Sequence, residues 1–279
     1  MSERWHPHNG VLAPVLGVSA VLEEWLTVSS QSTVLATDDL RRWQLGGLLG
    51  HDRVKIVGQA GDLLLGLARG IVAAERRVVI IAPGQQLIGQ LAPGCVAVAV
   101  SDDGYTAAAV TADYVLWPAD VHQAAAALRW ALTAAAEGSS VVLQVVSHPV
   151  PLIWSPNTKF SPDRWVTVGA GDTLVLAFGS TMAPLRAVME QGKKSIRAIN
   201  ITDCVGDQAA RQAVRALTVG STKVVIIRSP EQGGWLAETL RTIKKDYTDV
   251  VLKPDWRGIV EYTDADHVKA ISDALKKRS

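Results

Sequence analysis

The side chains that could do chemistry fall into three groups: carboxylates at glycine turns, hydroxyls after apolar runs, and six histidines. Gly58-Gln59-Ala60-Gly61-Asp62 follows the apolar run Val54–Val57 and opens a helical pattern. Such a turn can offer free backbone amides to an anion. It lacks both the GK[ST] ending of a phosphate loop and the third glycine of a dinucleotide fingerprint. A tight turn in which Asp62 stabilises the helix start is the simpler reading. Asp102-Asp103-Gly104 pairs two carboxylates that could bind a metal or share a proton. Neighbouring residues on an extended chain point opposite ways, and an Asp-Gly turn accounts for them with less effort.

Gly179-Ser180-Thr181 and Gly233-Gly234 follow apolar runs, at the strand ends where open α/β sheets place ligands. Ser180 or Thr181 is also a good N-cap with Pro184 in the first turn, and capping is the cheaper account. His6 and His8 could chelate a metal weakly but are more simply solvated, His122 sits in the first turn of an alanine-rich helix, and His51, His148 and His267 have no carboxylate or cysteine at a telling spacing. Neither HExxH nor GxSxG occurs, so no hydrolase and no metal site is expected. Cys95 and Cys204 lie far apart without a CxxC neighbour, which reads as two buried thiols in a reducing compartment.

Short apolar runs alternate with helical patterns almost throughout. The expected strands are 33–37, 54–57, 77–82, 95–100, 114–117 and 141–146, with helices at 13–26, 62–74 and 121–136. Continuous β-branched runs suit strands covered on both faces, and strict alternation with helices implies a parallel sheet. Pro149, Pro151, Pro156 and Pro162 fall within fourteen residues and deny both helix and central strand. A second cycle follows, with strands 173–178, 195–200, 223–228 and 250–252, and helices 183–191, 208–217, 235–245 and 265–276. The expectation is α/β, with two tandem domains, 11–150 and 166–279, each a mainly parallel sheet flanked by helices. A proline-rich linker, 151–165, joins them.

The 279 residues suit two domains of about 150 each. At 48% hydrophobic and 20% charged, the chain has ample apolar material for two cores. Lys plus Arg number 28 against 27 Asp plus Glu, a balance that argues against a nucleic-acid partner. No apolar run approaches the ~20 residues that span a bilayer, and residues 1–9 lack a signal-peptide core. A cytoplasmic protein away from membranes is expected. The residues alone give two α/β domains without a self-contained catalytic constellation, as in a chain that shares a site with another.

Five stretches in order carry a resemblance. Arg53–Gly70 resembles the transketolase segment DRFINVGIAEQNMVGIAAGLA. Ser101–Thr106 resembles GEDGPTH, and Leu116–Asp120 resembles V-x-R-P-A-D. Gly171–Ser180 resembles the start of the transketolase C-terminal domain, and Glu231–Trp235 its glutamate and double-glycine turn. The chain is similar to the pyrimidine-binding plus C-terminal half of a transketolase, as the β-type subunit of a split enzyme. That resemblance implies thiamine diphosphate with Mg²⁺, the diphosphate and metal held by a separate pyrophosphate-domain subunit in an α2β2 assembly. It implies a small-molecule substrate and transfer of a two-carbon ketol or acyl unit.

By the same resemblance Gly58, Gln59, Gly61 and Asp62 border the cofactor, and Asp103, Thr106 and His148 face substrate. The family's catalytic glutamate is matched by Gly61, which leaves neighbouring Asp62, one methylene shorter, as the candidate acid/base. Ala107 replaces a substrate histidine, and His148 replaces a phosphate-binding arginine after Ser147. Pro83–Leu91, matched to the pyrimidine-stacking segment, has no aromatic residue. These departures imply either a substrate other than an ordinary sugar phosphate, or a structural or regulatory partner of the α subunit.

Overall fold

The computed structural model describes residues 10–58, 61–102, 109–162, 165–191, 195–202, 208–229, 234–243, 245–252 and 265–276. The first half contains β1 (Val11–Leu12), α1 (Pro14–Val28), β2 (Ser32–Ala36), α2 (Gly46–Leu49), β3 (Val54–Ile56), α3 (Gly61–Ala73) and β4 (Arg77–Pro83). It continues with β5 (Ile88–Gln90), β6 (Cys95–Ser101), β7 (Ala109–Thr111), β8 (Tyr114–Leu116), α4 (Val121–Ala136) and β9 (Val141–Val146). Six of these strands form one sheet in the order β3-β2-β4-β6-β9-β8, every pair parallel.

Alternate residues along each strand serve opposite faces. Val79, Ile81, Val96, Val98 and Leu143 pack under α1 and α4, while Val78, Ile80, Cys95, Ala97 and Val142 pack under α3. Burial on both faces is why these runs are apolar without alternation. In α1, Pro14 occupies the first turn, and Val15, Val18, Leu22, Trp25 and Leu26 form the buried stripe.

The second half comprises β10 (Val150–Pro151), β11 (Val166–Val168), β12 (Thr173–Phe178), α5 (Met182–Glu190), β13 (Ile196–Ile201), α6 (Gln208–Thr218), β14 (Lys223–Arg228), α7 (Gly234–Thr242), β15 (Thr248–Val251) and α8 (Ala265–Lys276). Its sheet runs β11-β13-β12-β14-β15, parallel except for β11, an antiparallel edge. One face packs on α5 and α8 and the other on α6 and α7. The sequence pattern runs straight from the prolines to Thr173 and does not anticipate β11. The prolines themselves permit only an edge pairing: β10 lies antiparallel to β1, and Ile153 and Trp154 beyond it are fully buried.

A buried polar seam joins the two halves. Asp120 caps α4: Oδ1 accepts from Gln123 N (2.9 Å), and Oδ2 accepts from Ile153 N (2.6 Å) and Trp154 N (2.7 Å). Burial pushes the Asp120 carboxyl above its usual range, while the three N–H donors pull it back. Gln123 Oε1 accepts from Ala119 N (2.6 Å) and from Asn200 Nδ2 (2.9 Å) on β13. Trp117 N donates to Thr202 O at 2.7 Å. Gly179, at φ +49°, lets the end of β12 approach this seam, since a Cβ there would lie 3.0 Å from Trp117 O. Arg186, on α5, donates to the carbonyl of Leu152 and, from Nε, to Glu190 at 2.7 Å.

Replacing Asp120 with Asn turns one acceptor into a donor facing backbone N–H groups. The substitution is expected to remove about 2–3 kcal/mol of unfolding free energy. Urea titration of the full chain measures it, and a loss under about 0.5 kcal/mol would contradict the assigned role.

Candidate functional site

The carboxyl ends of the six parallel strands gather the loops after β2, β3, β4, β6, β8 and β9 on one edge, where such sheets bind ligands. Two clusters stand there. The first lies between the starts of α3 and the turn after β4. Gly58 adopts φ +73° and ends the strand segment. Gly61 is buried, and a Cβ built on it would overlap the backbone carbonyl of Gln86, far inside the 3.0 Å that real Cβ atoms keep. The obstructing atom is backbone, so no rotamer change relieves it. Position 61 therefore has room for glycine alone. Asp62, next along, is exposed in the first turn of α3, where a carboxylate complements the helix dipole.

The second cluster centres on Asp102, at the end of β6. Its Oδ1 accepts from Ser147 Oγ (2.6 Å) and from Trp43 Nε1 (2.9 Å), and its Oδ2 pairs with Arg42 at 2.8 Å. Arg42 also lies 4.0 Å from Asp39, whose Oδ2 accepts from Thr37 Oγ1 at 3.0 Å. Asp102 thus binds the loop after β2 to the end of β9, where half-buried His148 follows Ser147. The sequence reading treated Asp102 as half of an Asp-Gly turn and missed this role. Its partners lie 59 and 45 residues away along the chain, and only the strand order brings them together.

Of the other expected site residues, Gln59, Asp103 and Thr106 lie outside the described residues, as do Ala107, Cys204, Glu231 and Gly233. Ser180 and Thr181 are buried, and Thr181 sits at the N-cap of α5 without a side-chain bond to the helix: its Oγ1 accepts from Phe178 N (3.0 Å) and donates to Phe178 O (2.8 Å), so the hydroxyl ties the turn back to the end of β12 rather than capping α5 as expected. Gly234 begins α7. Burial pushes the Cys95 thiol up to about 11, which keeps it protonated and unreactive. Among the described residues no three His, Cys, Asp or Glu side chains group to hold a metal, and no helix is long and apolar enough to cross a membrane.

Tested against thiamine diphosphate, this chain's own residues do not fit the activated cofactor. Position 61, which the resemblance sets against an activating carboxylate, is sealed by Gln86, and residues 83–91 offer no ring to stack on a pyrimidine. Gly61→Ala is accordingly expected to destabilise the chain by about 3 kcal/mol through overpacking against backbone. Gly66→Ala, on the same helix with no atom within 4 Å of its Cβ, is expected to be neutral or stabilising. Thermal unfolding of the two variants side by side makes the comparison, and equal midpoints would refute the seal.

No protein-family model matches the sequence, and no curated protein matches it. Solved structures do. One titled as a split-gene transketolase, inactive beta4 tetramer, superposes with TM-score 0.74 at 18% identity, covering 97% of this chain and 100% of that one. A transketolase mutant from Pichia stipitis in complex with fructose 6-phosphate gives TM-score 0.66 at 11% identity over 98% of this chain and 47% of that one. A second mutant of the same enzyme gives 0.64 at 11% identity, with the same coverage. This chain therefore spans about half of the one-chain transketolase and the full length of the split-gene chain it matches. Its fold, from β1 to α8, is that of the C-terminal half of transketolase.

Proposed function

We propose that this chain is the β-type subunit of a split transketolase-like enzyme that transfers a two-carbon ketol or acyl unit. A separate pyrophosphate-domain subunit, in an α2β2 assembly, would hold thiamine diphosphate and Mg²⁺. The observation that carries this reading is the end-to-end match to a split-gene chain. A partner also suits the outer face of α3: Leu63 and Leu67 are 50% and 40% exposed, and Gly66 and Gly70, each three residues beyond one of them, leave open space for a second backbone. His148 stands where the resemblance expects a guanidinium, and imidazole is a weaker anion ligand at pH 7. This favours a substrate other than an ordinary sugar phosphate. The work would take place in the cytoplasm, in keeping with the buried, reduced Cys95.

The seal at Gly61 favours a second reading, in which this chain shapes or regulates the α subunit without taking part in the chemistry. Asp62 separates the two. It is exposed beside the sealed position and so free to face a group brought by the partner.

Calorimetric titration of thiamine diphosphate and Mg²⁺ into the mixed subunits, with the α subunit alone as control, is expected to show binding that needs both chains. Equal binding without this chain would defeat a shared site. In an active mixture Asp62→Ala is expected to reduce turnover at least about 100-fold, the scale of a general acid/base contribution. Unchanged turnover would leave the non-catalytic reading. Leu63→Asp with Leu67→Asp is expected to keep this chain folded but abolish its co-elution with the α subunit. Intact co-elution would remove α3 from the interface.

A further inference from the structure

Asp102 stands one residue beyond β6, a strand whose seven residues are all buried, so a core element carries its carboxylate to the rim. Two remote segments meet there. From the loop after β2, Trp43 Nε1 donates to Oδ1 at 2.9 Å and Arg42 pairs with Oδ2 at 2.8 Å. From the end of β9, Ser147 Oγ donates to Oδ1 at 2.6 Å, while Ser147 N donates to Ser101 O at 3.0 Å. Gln44, next to Trp43, adopts φ +61°, a left-handed conformation that costs energy for a residue with a side chain. Its neighbours hold it so: Trp43 through Asp102, and buried Leu45 through a bond from its N–H to Leu40 O at 2.9 Å. Arg42, Trp43, Gln44 and Ser147 all line one open cleft.

The hydrogen-bond inventory of that cleft follows from the carboxylate. A carboxylate paired with a guanidinium only accepts, so the single proton of the Ser147 hydroxyl goes to Asp102. Ser147 can then meet a further group only as an acceptor. We propose that Asp102 is a positioning residue, which fixes the loop after β2 against the end of β9 and makes Ser147 recognise a hydrogen-bond donor, a hydroxyl or an amine, on the substrate. That the donor belongs to a substrate rests on the split-transferase reading above, which sets His148, the residue after Ser147, on the substrate side. Asp102 acts through Ser147 and Trp43 and need not touch the substrate itself. Asp102→Asn keeps the size of the side chain but turns one acceptor edge into a donor, so at least one of its three partners faces another donor.

The first readout uses the full chain alone. Each of the nine Trp side chains gives one indole ¹⁵N–¹H signal, and Trp43→Phe identifies the signal of residue 43. Asp102→Asn is expected to move that signal and to speed its hydrogen exchange at least about tenfold, with the remaining indoles in place. Ser147→Ala, which leaves the indole bond intact, is expected to leave the exchange of Trp43 slow. The second readout uses the mixed subunits, with hydroxypyruvate as two-carbon donor and glycolaldehyde as acceptor. Asp102→Asn and Ser147→Ala are each expected to raise KM for glycolaldehyde at least about fivefold with kcat nearly unchanged. Because both act through one hydroxyl, the double variant is expected to lose no more than the weaker single one. An unmoved Trp43 signal, an unchanged KM, or losses that multiply in the double variant would overturn the proposal. Absence of transfer in the unsubstituted assembly would instead sink the transferase reading, and the Trp43 signal would still decide whether Asp102 holds the loop.

Discussion

A single buried carboxylate, that of Asp120, holds two separate parts of the chain at one point. It closes the amino end of α4, and it receives the backbone of Ile153 and Trp154 where the chain leaves the first sheet for the second. Three residues beyond Asp120, Gln123 reaches Asn200 in the other sheet. A charged group this far from water is tolerable only when donors surround it, and here each donor is backbone whose position the fold has already fixed. The relative placement of the two halves follows from this arrangement. So does the approach of the β12 end to Trp117, which requires glycine at 179.

The same economy governs the edge where the strands end. Two acidic positions lie there with opposite fates. Asp102 is drawn inward by an indole, a hydroxyl and a guanidinium, and becomes the brace of the loop after β2. Asp62 remains exposed on the rim, beside a glycine whose missing side chain has been replaced by the carbonyl of Gln86. The carbonyl of Gln86 fills the space a side chain at 61 would need, so any larger residue there would first require displacing the turn at Gly84–Gln86.

Most of the architecture was legible in the sequence because strands buried on both faces leave unbroken β-branched runs. Val141–Val146, Thr173–Phe178 and Lys223–Arg228 form strands with the bounds their composition predicts, and Val121–Ala136 and Ala265–Lys276 do so as helices. The elements that went unseen are short and owe their order to a distant partner. Val166–Val168 is a strand because β13 offers an edge, and Val11–Leu12 because Val150–Pro151 does. The Asp102 cluster was hidden for the same reason, since no spacing rule links residues 42, 102 and 147. At Gly61 the resemblance to transketolase sets a glycine against a glutamate, and only the packing shows that no side chain fits there.

The pairing of β1 with β10 has a consequence for how this molecule comes together. Its two-residue ladder joins positions about 140 residues apart, so closing it follows the completion of the first sheet and yields few hydrogen bonds in return. Contacts of that kind form late and open early under native conditions. Because Val11 and Leu12 are also exposed, amide exchange there should run ahead of exchange in the core strands.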